Sequence, residues 1–289
     1  MRTTGIDKIV DTFLSSRGNQ RGQIISLGAG SDTRYFRLEQ KQPDLNIIYH
    51  ELDFRANTVR KICRVRSPLF ASRAKALCGV DLLASEVEVL HDRSKLKSPS
   101  YVIHPRDLRE LGQGQVALPE IDATLPSLII SECCLIYLSP EDADAVLQYF
   151  IDLFPPTTPL AIVIYEPIRP HDAFGRTMVT NLTARGIHLQ TLEKYATLKE
   201  QRDRLGRYGF GAVAGDGTGS GAGIGAADVD FIWRQWIAEE EKERVEGLEW
   251  MDELEEFVLL TKHYSISWAW RGFEHDDEWR SLPLSTGDG

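Results

Sequence analysis

Ile24-Ile25-Ser26-Leu27-Gly28-Ala29-Gly30-Ser31-Asp32-Thr33 decides how the rest of the chain is read. Four mostly apolar residues run into two glycines and then into a polar turn. That pattern describes a buried parallel strand ending in a tight loop, with a helix starting just beyond. Gly28 and Gly30 leave the backbone bare, so a ligand can approach its N–H groups closely. Downstream, Ile47-Ile48-Tyr49-His50-Glu51-Leu52-Asp53 is a second short apolar run that ends in acids. An acid at the end of the next strand is where the ribose hydroxyls of a nucleotide cofactor are held. Gly-x-Gly alone occurs in many ordinary turns; the well-spaced acid makes the signal more specific. Phe36 and Arg37 stand where a dinucleotide fingerprint would place its third glycine. The loop therefore favours a nucleoside ligand without phosphates, such as S-adenosylmethionine, over a pyrophosphate.

The remaining segments extend the same alternation. Apolar residues at Ile6, Ile9, Val10, Phe13 and Leu14 have helical spacing, and Gly18 follows them. Arg2 stands at the start of this helix, where its bland reading is a frayed, solvated arginine. Asp53 to Cys63 opens a helix rich in arginine and lysine. The pattern from Ser67 to Ser100 resolves into no clear element. Tyr101-Val102-Ile103 is a short strand, followed by Asp107 and Leu108, placed either to meet an adenine edge or, through Asp107, to cap a helix. Leu125 to Glu132 is a buried strand ending in an acid on the ligand side of an open α/β sheet. The lesser alternative for Glu132 is a structural carboxylate that caps backbone N–H groups. Cys133 and Cys134 read as small core residues. Ser139-Pro140-Glu141-Asp142 is a helix start with a capping serine, a proline at the first position and early acids. Leu160 to Glu166 is the next buried strand. His171 to Arg185 and Leu192 to Leu205 are helices.

Gly211 to Ala226 alternates glycine with small residues and reads as a flexible surface linker; a phosphate-cradling loop would need a Gly-Lys-Ser that is not there. The run Glu239-Glu240-Glu241 is a solvated helix face. Leu248 to Leu260 is amphipathic. His263 to Trp270 alternates by twos, which predicts a late, antiparallel strand. The fold class is therefore α/β, doubly wound, with a mostly parallel sheet. The expected organisation is one domain over residues 1–275 with a neutral Gly-rich insertion at 211–226, and a disordered tail over 276–289.

A chain of 289 residues can build a sizeable core, and 42% hydrophobic with 26% charged residues is ordinary for a globular protein. No apolar run reaches membrane-spanning length and no secretory leader is visible, so no membrane association is expected. The four cysteines form neither a Cys-x-x-Cys pair nor a zinc spacing, so reduced thiols, no metal and a cytoplasmic location are the plain expectation. A formal charge of −10 argues against non-specific binding of nucleic acid while leaving room for a local basic patch.

Taken together, Leu27-Gly28-Ala29-Gly30-Ser31-Asp32-Thr33, Glu51-Leu52-Asp53-Phe54, Asp107-Leu108, Ser131-Glu132-Cys133 with Tyr137, and Tyr165-Glu166 resemble the motifs of the leucine carboxyl methyltransferases, in that family's order. The likeness runs from Arg2 to about Gly272. It implies the S-adenosylmethionine methyltransferase fold and S-adenosyl-L-methionine as cofactor. The implied reaction is methylation of the C-terminal leucine carboxylate of the protein phosphatase 2A catalytic subunit, whose tail would be the partner. It further implies that Gly28, with Gly30, packs against the methionine part of the cofactor and that Asp53 accepts from the ribose hydroxyls. Asp107 and Leu108 would frame the adenine, and Glu132 would sit by the amino-acid end. Arg2 would meet the cofactor carboxylate and the acceptor, and Tyr137 would line the methyl-transfer site. Members of the family usually carry several tens of residues before the position of Arg2, including a cofactor-contacting lysine; the expectation is that this chain lacks them. A monomer is expected. The alternatives are a methyltransferase of the same fold acting on a small carboxylic or hydroxyl metabolite, and an inactive binding protein.

A carboxylate acceptor is already ionised near neutral pH, so attack on a sulfonium methyl needs alignment and exclusion of water rather than a general base. The absence of a Ser/His/Asp or Cys/His set agrees with that chemistry.

Overall fold

The computed structural model describes residues 1–43, 45–211, 221–247 and 254–285. The chain divides into two compact units. Helices and strands are numbered along the chain.

The glycine-loop unit comprises Asn19–Glu132 and Asp144–Thr158. Its strands are β1 (Gly22–Leu27), β2 (Ile47–Asp53), the two-residue β3 (Glu88–Val89) and β4 (Leu96–Lys97), β5 (Tyr101–Pro105) and β6 (Ser127–Glu132). They lie in the order β3-β4-β5-β2-β1-β6. The four strands β5, β2, β1 and β6 run parallel; the β3–β4 hairpin closes the outer edge antiparallel. Every residue of β1 is buried, as its near-continuous apolar run requires of a central parallel strand. Between the strands lie α2 (Arg34–Lys41), α3 (Arg55–Val65), α4 (Pro68–Cys78) and α5 (Leu108–Gly112).

Helix α4 falls in the stretch that the sequence pattern leaves unresolved. Ser67 and Pro68 start it and Gly79, with φ 70°, ends it in the left-handed region. Beneath α2 a buried aromatic cluster forms around Tyr35, which stacks on Tyr101 at 4.4 Å with the rings parallel to within 1°. Helix α6 (Pro140–Leu153) starts as expected, with the Ser139 hydroxyl accepting from the Asp142 N–H at 3.0 Å.

The second unit comprises Met1–Gly18, Cys133–Ala143 and Pro159–Gly289. Its strands β7 (Leu160–Pro167), β8 (Gly221–Asp228) and β9 (Tyr264–Phe273) lie in the order β7-β9-β8, and both pairings are antiparallel. The late antiparallel strand is thus where the two-residue alternation puts it. Helix α1 (Arg2–Ser16) buries Ile6, Ile9, Val10 and Phe13 completely. It comes so close to β9 that a Cβ on Gly5 would stand 2.6 Å from Ile266 Cδ1. The remaining helices are α7 (Ala173–Thr183), α8 (Leu198–Gly206), α9 (Val229–Gln235), α10 (Glu239–Glu246), α11 (Leu254–Lys262) and α12 (Asp277–Ser281). Helix α8 starts later than Leu192 because Thr197 and Glu200 close a capping box.

Two expectations need correction. Part of the supposed linker, residues 221–226, belongs to β8; residues 212–220 lie outside the described residues. Gly223 pairs with Trp270 and Gly225 with Trp268 across the ladder. A Cβ on either glycine would fall 2.2 Å from the facing indole. The glycines are there because the two indole rings occupy the face of β8 where side chains would otherwise stand. The supposed disordered tail holds α12, whose Trp279 is buried and stacks on Trp270 at 5.5 Å; residues 286–289 lie outside the described residues.

Candidate functional site

The glycine-loop unit gathers most of the expected site residues at the carboxyl ends of its parallel strands. β1 hands over to Gly28 and Gly30, with φ of 61° and 51°, a region that costs a side-chain-bearing residue about 1 kcal/mol or more. The loop is tied to β2: the Gly28 N–H donates to the Leu52 carbonyl at 2.8 Å. Asp53, the last residue of β2, completes the tie. Its Oδ2 accepts from the Gly30 N–H at 2.7 Å, and its Oδ1 accepts from the Phe54 N–H at 2.7 Å and from Asn57 Nδ2 at 2.8 Å. With two donors on one oxygen and one on the other, Oδ2 keeps room for a further donor.

Asp107 follows β5 and caps α5, accepting from the Arg109 N–H at 3.0 Å. The same carboxylate pairs with the Arg109 side chain at 2.5 Å, and that arginine holds it below the usual carboxylate range. Both readings of Asp107 thus stand at one place: a cap whose half-buried carboxylate lies just past the strand end. Leu108, the first residue of α5, is buried. Glu132 ends β6 and remains part-exposed.

Sequence reasoning missed the residues that hold these groups in place. Arg34 is 2% exposed and reaches both Asp32, in the loop, and Glu132, at the end of β6, the latter at 3.3 Å. Lys61 on α3 donates to the Asp32 carbonyl at 2.8 Å and pairs with Glu51 at 2.5 Å. Glu51 is fully buried, and burial pushes its carboxyl up to about 7 against the pull of Lys61. The signal was available: an arginine and a lysine on otherwise buried, strand-flanking helix faces need acids to meet.

The rim so formed carries Asp32, Asp53, Asp107 and Glu132. Carboxylates repel a pyrophosphate. They suit hydroxyl donors and a cationic ligand, which are what the ribose, the sulfonium and the ammonium of S-adenosylmethionine present. The residues present fit that group.

The second unit holds Arg2 and Tyr137. Arg2 is the first residue of α1, and its guanidinium lies 5.6 Å from the centroid of the Tyr165 ring. It is therefore placed by a cation–π contact rather than frayed. Tyr165 in turn stacks on Tyr264 at 5.4 Å. Cys133, the residue after Glu132, has φ 48° and donates its N–H to the Tyr165 carbonyl at 2.9 Å. A left-handed turn at a cysteine reverses the chain into a 3-10 turn, Leu135–Tyr137. Gln190 fixes that turn by donating its backbone N–H to Ile136 and its side-chain amide to the Tyr137 carbonyl, at 2.8 and 2.5 Å. Tyr137 is 44% exposed, and partial burial raises its phenol above the ordinary value, as does the nearby Cys133. At neutral pH the phenol is a hydrogen-bond donor, not a base. Glu166, the residue after Tyr165, forms an ion pair with Arg204 at 3.0 Å with neither side chain exposed.

Comparison with known proteins gives one consistent result. Residues 1–151 match the family model described as leucine carboxyl methyltransferase. Leucine carboxyl methyltransferase 1 of Emericella nidulans is 48% identical over 299 residues, which cover 94% of this chain and 72% of that protein. The protein of the same name from Aspergillus fumigatus is 44% identical over 317 residues, covering all of this chain and 76% of that one. Among solved structures, the plantazolicin methyltransferase BamL aligns with a TM-score of 0.48 at 12% identity, over 94% of this chain and 85% of that chain. Identity of this depth over nearly the full length, with the glycine loop and strand-end acids in place, makes the chain a member of the leucine carboxyl methyltransferase family, and so a methyltransferase enzyme.

Proposed function

We propose that the chain transfers a methyl group from S-adenosylmethionine to the C-terminal leucine carboxylate of the protein phosphatase 2A catalytic subunit, forming a methyl ester. The observation that carries the cofactor reading is Asp53: it closes the glycine loop through Gly30 and still has an acceptor position on Oδ2 for a ribose hydroxyl. The cofactor supplies a methyl group on a positively charged sulfur. Glu132, steadied by Arg34, is an acceptor for the ammonium at the amino-acid end. Leu108 offers an apolar edge for the adenine and Asp107 an acceptor beside it.

On the acceptor side, the guanidinium of Arg2 suits a carboxylate, which it can hold by two parallel charge-assisted bonds. The Tyr165 ring fixes the approach of that guanidinium. The Tyr137 phenol, kept protonated, can donate a hydrogen bond to a carboxylate oxygen without giving up its proton. No residue has to act as a base, because the acceptor is ionised before it binds. What these residues contribute is orientation and exclusion of water.

The test is to incubate the enzyme with labelled S-adenosylmethionine and the phosphatase catalytic subunit, then treat the product with mild base. A carboxyl ester releases the label as methanol. Label that survives base would mean transfer to a nitrogen or a hydroxyl and would sink the proposal.

A further inference from the structure

Helices α3 and α4 have a composition unlike the rest of the chain. Between Arg55 and Cys78 the sequence holds Arg55, Arg60, Lys61, Arg64, Arg66, Arg73 and Lys75 and no acid at all, in a chain whose formal charge is −10. Some of these cations are spoken for. Arg55 pairs with Asp92, Lys75 with Asp81 and Lys61 with Glu51, and Arg66 donates to the Leu82 carbonyl. Arg60, Arg64 and Arg73 are exposed, and their guanidinium groups have no hydrogen-bond or ion-pair partner among the described residues. Like charges one helical turn apart, as at Arg60 and Arg64, repel one another and weaken a free helix.

The same helices expose large apolar side chains. Leu69 is 67% exposed and Leu77 62% exposed. With Arg73 they fall at i, i+4 and i+8, so one face of α4 reads Leu-Arg-Leu toward solvent. An exposed leucine is ordinary; two of them aligned with an unpaired arginine on one helix face are not. A cavity of about 430 Å³ runs from Phe70 of α4 and Arg60 and Arg64 of α3 to Phe36 and to the glycine loop at Gly30 and Ser31, so its inner end belongs to the site already described. The two phenyl rings meet edge-on at 5.0 Å and form an apolar floor. Asp32, one of the rim carboxylates, also borders the cavity at its glycine-loop end, so an acidic segment would stay on the outer cations.

We propose that the α3–α4 face is a docking site for an acidic segment of a partner protein that carries large apolar side chains. Such a segment would set its carboxylates on Arg60, Arg64 and Arg73 and its apolar residues on Leu69 and Leu77. The charge of this face is opposite to that of the chain as a whole, so it is the place where an acidic partner is drawn in rather than repelled. A peptide fits better than a nucleic acid, because phosphates need only the cations and leave Leu69 and Leu77 exposed, and better than a lipid surface, because two leucines give too little apolar area to enter a bilayer. The inference does not depend on which acceptor is methylated.

The test uses a fluorescently labelled synthetic peptide of twelve alternating glutamates and leucines as probe. Fluorescence anisotropy is read with wild type, with R60E/R64E and with L69S/L77S. All four positions lie at or near the surface, and thermal melting verifies that the variants fold. Wild type is expected to bind, more weakly as salt rises, and each double variant to lose about tenfold or more in affinity. Binding unchanged in R60E/R64E, or no binding by wild type, would overturn the proposal. So would loss in R60E/R64E with none in L69S/L77S, since that is charge attraction without a docking site. Phosphatidylserine vesicles and a poly-thymidine oligonucleotide serve as rival probes; tighter charge-dependent binding of either would assign the face to that class instead.

Discussion

Replacing Asp53 tests the architecture of the cofactor loop most sharply. In Asp53→Ala three bonds within the protein vanish: those from the Gly30 N–H, the Phe54 N–H and Asn57 Nδ2. These donors lie at a part-exposed site and can turn to water, so the cost to folding should be only about 1–2 kcal/mol. The cost to binding is larger. A hydrogen bond to a charged acceptor is worth roughly 1.5–3 kcal/mol, and the loop that Asp53 holds closed must now be ordered by the ligand itself. Together these predict a loss of about 2–3 kcal/mol in affinity for S-adenosylmethionine, or roughly 30- to 150-fold in Kd. Asp53→Asn should do nearly as badly. Its carbonyl oxygen can replace Oδ1, but its NH2 would then face the Gly30 N–H, donor against donor. The assay is isothermal titration with S-adenosylhomocysteine, alongside thermal melting. A Kd within twofold of wild type in both variants would remove Asp53 from the cofactor site.

Gly225→Ala should lower stability by about 3 kcal/mol and the melting temperature by roughly 5–10 °C, because its Cβ would enter the Trp268 ring; a melting point unchanged within a degree would return residues 221–226 to the status of a linker. Arg2→Lys should reduce kcat/KM by about 2–4 kcal/mol in transition-state terms while leaving the melting temperature nearly unmoved, since lysine has neither the fork nor the planar stacking of arginine; equal activity would show that Arg2 only stacks on Tyr165. His50 and His104 face each other at 3.1 Å, and burial pushes both down to about 3. A depressed histidine value means that the unfolded chain takes up protons first, so stability is full above about pH 6.5 and is lost as the pH falls toward 3, by about 2 kcal/mol per ring at pH 5. His104→Gln should therefore flatten the loss of melting temperature between pH 7 and pH 5; an equal slope in wild type and variant would contradict the assignment.

Much of the fold was legible because β1, β2, β6 and β7 announce themselves by apolar runs and β9 by strict alternation. The acids at Asp53 and Glu132 followed, since a strand end in an open α/β sheet is a ligand position wherever an acid occurs. β8 was not legible. A strand made of glycine and alanine has no periodicity of its own, and its reason for being glycine sits some forty residues on, in Trp268 and Trp270. α12 was missed for a similar reason: a single buried tryptophan, Trp279, anchors a turn that is otherwise charged. Arg34 and Lys61 were passed over because a cation beside a glycine loop looks solvated until its partners, Asp32, Glu51 and Glu132, are brought in by chain reversals of different length. Arg2 required Tyr165, which is remote in sequence and adjacent only once α1 packs on its sheet.

Whether the proposed acceptor is the terminal leucine carboxylate is decided by measuring labelled methyl incorporation into the protein phosphatase 2A catalytic subunit in two forms, intact and lacking its last residue. Transfer to that carboxylate means stoichiometric, base-labile labelling of the intact subunit and background labelling of the shortened one; equal labelling of both would rule it out.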